Sequence, residues 1–151
     1  MIRFDDLSSF SRRFAQRLFE AYPQWRQYAT IPDGEGWNDG VLSVVVQSPA
    51  GDRELSIDTD GDEITVGFGE HGWHAHFWAW DGLDENTVFA QAMDEIARIL
   101  NDDVAILTRF VDGAARSSET FSQGEEVEFK NSDRIEICSW LGTRNATLFP
   151  A

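Results

Sequence analysis

The three histidines of the chain lie close together, in the segment His71-Gly-Trp-His74-Ala-His76. On a strand, His74 and His76 project to the same side and His71 lies in the preceding turn. Imidazoles with a carboxylate such as Glu70 or Asp81 are typical zinc ligands. The spacing matches no familiar metalloenzyme signature, and no cysteine lies nearby. We expect no metal and no cofactor, and keep a metal-binding module or metal-dependent enzyme centred on these histidines as the alternative.

A second candidate is a run of acid opposed only by Arg53; it comprises Asp52, Glu54, Asp58, Asp60, Asp62 and Glu63. Alternation places Glu54 and Asp58 on one face of a strand, and Glu63 joins them from the next strand. The acid spacing suggests a calcium loop, but the glutamate that closes such loops is missing. Paired carboxylates also serve glycosidases, although a charge run is usually a solvated face. We predict Glu54, Asp58, Asp62 and Glu63 as contacts to a partner.

A third candidate is the aromatic segment that follows, residues 73–80. Alternation directs Trp73 and Phe77 one way, and Trp78 and Trp80 the other way with the histidines. Rings on both sides indicate either a central strand covered on both faces or a strand with one binding face. Because Trp is enriched among interface hot spots, Trp78 and Trp80 are predicted partner contacts.

Recognisable catalytic machinery is missing from the sequence. It contains no Gly-x-Ser-x-Gly elbow and no phosphate-binding Gly-Lys-Ser/Thr loop, and in its Gly-x-Gly-x-x-Gly stretch, Gly67-Phe-Gly69-Glu-His-Gly72, a predicted strand follows where a dinucleotide-binding loop has a helix. Cys138 alternates with Ile135 and Ile137, which is typical of a buried structural residue rather than a nucleophile. We therefore predict no catalytic residues and a protein that is not an enzyme.

Charge is distributed unevenly along the chain. Residues 1–40 carry six acidic and five basic side chains, whereas residues 41–151 carry twenty-one acidic and seven basic ones, of a whole-chain net charge of -15. The negative electrostatic field of such a chain repels nucleic acid and anionic membranes and attracts a basic partner. A single cysteine, the lack of a signal peptide after Met1 and the lack of a long apolar run together predict a cytoplasmic location.

The helices and strands that position these residues are predicted from the spacing of apolar residues along the chain. Leu7, Phe10, Phe14 and Leu18 share one face of a helix predicted over residues 5–22. The period then changes to two, which predicts a four-stranded antiparallel meander over residues 41–47, 53–59, 62–68 and 73–80. The dipeptide Asp60-Gly61 predicts a type I′ hairpin turn in this meander.

A second helix is predicted from its cap, Asp84, to about Asn101. Weaker patterns predict strands over residues 105–111, 117–121, 127–130 and 134–141. The order predicts one α+β domain over residues 1–151, in which two helices pack on one face of an antiparallel sheet made of the meander and the C-terminal strands.

The predicted hairpin Leu55-Ser-Ile-Asp-Thr-Asp-Gly-Asp-Glu-Ile-Thr-Val-Gly-Phe68 leads into the segment Trp73-His-Ala-His-Phe77. This pattern resembles bacterial immunity proteins of polymorphic toxin systems, including those of contact-dependent growth inhibition. Trp78 and Trp80 depart from that pattern. The resemblance implies a small cytosolic protein that binds one cognate toxin domain and blocks it.

Charge leads to the same class, because toxins that cleave nucleic acid need a basic surface and an acidic inhibitor associates with it rapidly. The expected function is a stoichiometric inhibitor of a cognate basic toxin domain, with neither nucleic acid nor membrane as a partner. A chaperone or adaptor for a secreted effector has the same size and charge, and genomic context separates the two.

Overall fold

A computed structural model, which describes residues 1–79 and 82–151, shows an α+β protein with two α-helices, a five-stranded sheet and a four-stranded sheet. The chain divides into two compact units that alternate along the sequence. The first comprises Met1–Val46, Leu55–Gly67 and His74–Asp94, and the second comprises Gln47–Glu54, Phe68–Trp73 and Glu95–Ala151. The α+β class is confirmed, with strands in two sheets; the single domain over residues 1–151 stays a prediction.

Helix α1 covers Ser9–Ala21 and starts later than its acidic residues suggested. Ser8 is the N-cap, because its hydroxyl accepts a hydrogen bond from the Ser11 N–H at 3.1 Å. The predicted start at Asp5 is wrong, since Phe4–Asp6 forms a separate 3-10 turn. The apolar face is as predicted, with Phe10, Phe14 and Leu18 buried.

The first sheet contains the predicted meander and one short additional strand. Its strands are β1 Ala29–Thr30, β2 Ser43–Gln47, β3 Glu54–Asp60, β4 Glu63–Phe68 and β5 Trp73–Trp78, and they lie side by side in that order. Strand β5 is therefore an edge strand, so the central position considered for it is wrong. The short strand β1 pairs with β2 and forms the opposite edge of this sheet.

Alternation gives this sheet one buried and one open face. Strand β3 buries Leu55, Ile57 and Thr59, and β4 does the same with Ile64 and Val66. Helix α1 reaches the buried face, where the hydroxyls of Ser11 and Thr59 lie 2.6 Å apart. Thr59 also accepts a hydrogen bond from the Leu42 N–H at 2.9 Å, which satisfies a polar group inside the core.

The turn between β3 and β4 is where predicted but not of the predicted type. Type I′ requires positive φ at both central residues. Gly61 has φ +59°, whereas neither Asp60 nor Asp62 has positive φ, so the type I′ prediction is wrong. Asp112 and Gly113 have the required pair of values, φ +51° and +77°, in the connection between two later strands.

Helix α2, Glu85–Leu100, begins as predicted. The Asp84 carboxylate accepts a hydrogen bond from the Thr87 N–H at 2.7 Å, and this bond lowers the pKa of Asp84. On α2, Phe89 packs against Phe10 and Phe14 of α1, with ring centroids 5.3 and 5.4 Å apart. The two helices thus share an aromatic core in the first unit.

The second sheet consists of β6 Val104–Val111, β7 Ala114–Ser122, β8 Arg134–Cys138 and β9 Ala146–Leu148, in the order β7-β6-β8-β9. The strand predicted over residues 127–130 is wrong. Val127 and Phe129 do pack on the core of this sheet, but from a loop. The alternating pattern of Val127 and Phe129 therefore reflects burial without strand pairing. Strand β9, at residues 146–148, was not predicted.

Asp102, just after α2, is a buried acid with three hydrogen bonds. Its side chain accepts bonds from the Leu141 N–H at 2.8 Å, the Thr143 N–H at 3.2 Å and the Thr143 hydroxyl at 2.6 Å. Burial acts to raise the pKa of Asp102, but these bonds outweigh it and hold the pKa below its ordinary value. The ionised form therefore joins the end of α2 to the loop after β8.

Replacing Asp102 with asparagine is expected to lower the free energy of unfolding by about 2 kcal/mol at pH 7, because the buried donors lose a charged acceptor. A folded-state pKa below the unfolded value gives stability that is present above about pH 4 and lost as the pH falls through the folded value. Urea unfolding at pH 7 and pH 3 should therefore show a smaller difference from wild type in acid. Asp103→Asn is the exposed control, and an equal loss at both pH values would contradict this role for the charge.

Candidate protein-docking site

The open face of the first sheet, here called the outer face, lies in the first unit. It carries the side chains that alternate with the buried ones: Ser43, Val45, Ser56, Asp58, Glu63, Thr65, His74, His76 and Trp78. Contacts across it join neighbouring strands, since Ser43 bonds Asp58 and the Thr65 hydroxyl lies 3.2 Å from His76 Nδ1. Polar side chains thus cover the middle of the outer face, and the exposed ring of Trp78 lies at its β5 edge.

A shallow depression of ≈ 500 Å³ lies where the β3–β4 turn meets the end of β5. We call it the acidic depression; it is lined by Asp60, Asp62, Glu63, His76, Trp78 and Ala79. Three carboxylates and an indole thus border one concave surface. Trp78 is 44% exposed, which is high for a residue type that is well buried on average.

Histidines hold one border of the acidic depression in place. The Glu63 carboxylate contacts His76 Nδ1, and the same nitrogen faces the Thr65 hydroxyl. The ring of His76 packs edge-on against His74 at 4.8 Å and near Trp78 at 6.3 Å, measured between ring centroids. This chain of contacts orients Glu63 toward the depression from the open side of the sheet.

The opposite border keeps its negative charge. Asp60 accepts a hydrogen bond from the Asn38 amide, which is neutral. The nearby cation Arg13 acts on Asp62 electrostatically, but Glu85 holds its guanidinium by two bonds of 2.8 and 2.6 Å. Since Glu85 already balances Arg13, the depression remains anionic and suited to a cation from outside.

The predicted contact residues are not all brought together. Asp62, Glu63 and Trp78 line the acidic depression, whereas Glu54 begins β3 at its other end and accepts a bond from the Gln47 amide at 2.7 Å. Asp58 lies on the outer face but is half-buried; burial raises its pKa, opposed by a bond to Ser43. Its carboxylate is thus less available to a partner than that of Asp62.

The predictions for Trp80, and for Asp81 as a metal ligand, fall on residues outside the described part of the chain. Asp60 lines the acidic depression although it was not among the predicted contacts. The relevant signal was present, because Asp60 flanks the hairpin glycine and so lies beside the first residues of β4.

The three histidines are divided between the two units. His71 belongs to the second unit, where its Nε2 lies 3.0 Å from Glu136 and its ring packs edge-on against Phe110 at 5.0 Å. His74 and His76 pack on each other in the first unit. Across residues 1–79 and 82–151, no group of three or more His, Cys, Asp or Glu side chains is placed to hold a metal ion.

The second unit contains a cleft of ≈ 410 Å³ that sequence analysis missed. Among its lining residues are Arg53, Glu70, His71, Glu136 and Cys138, which come from separate segments and share no motif. Arg53 pairs with Glu70 at 3.1 Å, so much of the charge in the cleft is internally balanced. Burial raises the pKa of the Cys138 thiol, and the opposing effect of Arg53 is smaller, so the thiol is mostly protonated at neutral pH.

Comparisons of the chain with protein-family models, with curated proteins and with solved structures found no match. Within the described residues, neither helix is long and apolar enough to cross a membrane.

Proposed function

We propose that this chain is a stoichiometric protein inhibitor, an immunity protein, that binds and neutralises a cognate basic toxin domain in the cytoplasm. The observation that carries the proposal is the acidic depression, in which Asp60, Asp62 and Glu63 border the same concavity as the exposed ring of Trp78. Charge brings a basic partner to this surface, and an aromatic anchor supplies contact area once it has docked.

Electrostatics support a nuclease as the toxin. An enzyme that cleaves nucleic acid holds phosphates with lysine and arginine, so its active surface is positive. A chain of net charge -15 repels nucleic acid itself and attracts a positively charged active surface of this kind. An inhibitor of this kind needs no catalytic residues, only a complementary surface and fast association.

The direct test is co-purification with the protein domain encoded beside the gene for this chain. We expect a one-to-one complex by light scattering and loss of the domain's toxicity on co-expression. A well-folded protein that neither binds the neighbouring gene's product nor protects cells from it would contradict the proposal. Protection without binding would point to an adaptor or other indirect role.

Salt dependence gives a second measurable expectation. Raising NaCl from 50 to 500 mM is expected to weaken the complex at least tenfold, mainly through slower association, because salt screens exposed charges. Surface plasmon resonance separates the two rate constants. An affinity independent of salt would contradict docking through the carboxylates.

A further inference from the structure

The acidic depression combines two features that together select one kind of side chain. Trp78 offers an aromatic ring, and Asp62 and Glu63 offer carboxylates along the same concavity. A cation near an indole face is attracted by the ring quadrupole, and a carboxylate adds a charge-assisted hydrogen bond. The two features come from separate parts of the chain, since Trp78 ends β5 whereas the carboxylates lie in the β3–β4 turn and at the start of β4.

Between the two cationic side chains of proteins, arginine fits this arrangement better. Its guanidinium is planar, stacks on an aromatic ring and donates bonds in a fork that matches a carboxylate. Lysine carries a compact, strongly hydrated charge that loses more water on entering a site. The depression, at ≈ 500 Å³, is large enough for either side chain, so its chemistry makes the selection.

We propose that the acidic depression receives an arginine side chain of the partner protein, stacked on Trp78 and paired with Glu63 or Asp62. This inference rests on the proposed function and names the partner group that the acidic depression recognises. Glu63 lies on the same face of the sheet as Trp78, where its carboxylate also contacts His76. Asp62 in the turn supplies the second acceptor.

Two small probes test the site without the partner. The ¹⁵N-labelled protein is titrated with N-acetyl-arginine methylamide and, separately, with N-acetyl-lysine methylamide. The expected result is millimolar binding of the arginine probe, at least threefold tighter than the lysine probe, with shifts at the Trp78 indole N–H and the amides of residues 60–65. Equal binding of the probes, or shifts confined to other regions, would overturn the inference.

Variants assign the two halves of the site. Trp78→Leu and Glu63→Gln should each weaken the arginine probe threefold or more and remove its preference over the lysine probe. Trp37→Leu is the matched control, because Trp37 is 43% exposed and does not line the depression. The dispersion of each variant's amide spectrum shows whether that variant is folded. Because the two substitutions lie on different strands, the second variant still tests the inference if the first one does not fold. Unchanged arginine binding in both folded variants would overturn the inference.

The partner separates this inference from the proposed function. If the neighbouring gene's domain binds but no single arginine-to-lysine change in it weakens the complex more than threefold, the function stands and the arginine site is wrong. If the arginine probe binds as described but that domain neither binds nor is neutralised, the site stands and the function is wrong.

Discussion

Reversing the charge of Asp62 and Glu63 together, with lysine at both positions, is expected to weaken the complex with the toxin domain at least a hundredfold. The change removes two attractive carboxylates and places two cations opposite a basic surface, and like charges across an interface cost several kcal/mol. A hundredfold loss corresponds to about 2.8 kcal/mol of binding free energy. Isothermal titration calorimetry at 50 mM NaCl measures the loss.

The control for this variant makes the same change of net charge elsewhere. Glu126→Lys with Glu128→Lys reverses two exposed acids in the loop after β7, in the second unit. We expect this control to weaken the complex less than fivefold, through the general field alone. Equal losses in the two double variants would show that overall charge, and not the acidic depression, governs binding.

Replacing Gly40 with alanine is expected to lower the free energy of unfolding by about 3 kcal/mol or more. Gly40 has φ +72°, where a side chain costs about 1–2 kcal/mol. Moreover, an added Cβ would lie 2.3 Å from the backbone nitrogen of Ser8, whose N–H donates to the Gly40 carbonyl at 3.0 Å. Because Ser8 caps α1, its displacement also weakens the start of that helix.

Gly51→Ala separates conformational strain from this close approach. Gly51 has a similar φ of +74°, but an added Cβ there meets no atom within 4 Å. Chemical denaturation should therefore show a loss of only about 1–2 kcal/mol for Gly51→Ala. If both glycine variants lose the same stability, the contact between residue 40 and Ser8 contributes nothing.

Local periodicity predicted the elements that carry the acidic depression. Strict alternation through Ile64 and Val66 specifies which face is buried, because a slip by one residue would expose every apolar side chain. A capped start at Asp84 was equally readable, since its bond to the Thr87 N–H lies within one turn. Such features depend on residues near one another in the chain.

Prediction failed where distant segments decide the structure. Val127 and Phe129 alternate as a strand does, but they pack on the second sheet from a loop. Asp112-Gly113 occupies a turn with positive φ at both residues, and its aspartate-glycine signal was not used. The first error came from judging apolar pattern without asking which strand was available as a hydrogen-bond partner, whereas the second overlooked a signal that is local to the turn.

The acidic and aromatic character of the candidate site was predictable from the sequence, but only some of the residues that form it were. Acid in the hairpin and a ring on the next strand were readable, and Asp62, Glu63 and Trp78 do border one depression. Glu54 and Asp58 share a strand face with each other, but strand position alone does not reveal that Asp58 is half-buried beside Ser43. Burial depends on neighbouring strands, which the residues of β3 do not specify.

Chemical-shift mapping of the ¹⁵N-labelled protein, as the purified basic domain is added, shows whether the acidic depression is the docking site. We expect the largest changes to saturate at one equivalent and to lie at residues 60–65 and 74–79, including the Trp78 indole N–H. Saturable changes confined to the second unit, with residues 60–65 and the Trp78 indole unaffected, would contradict it.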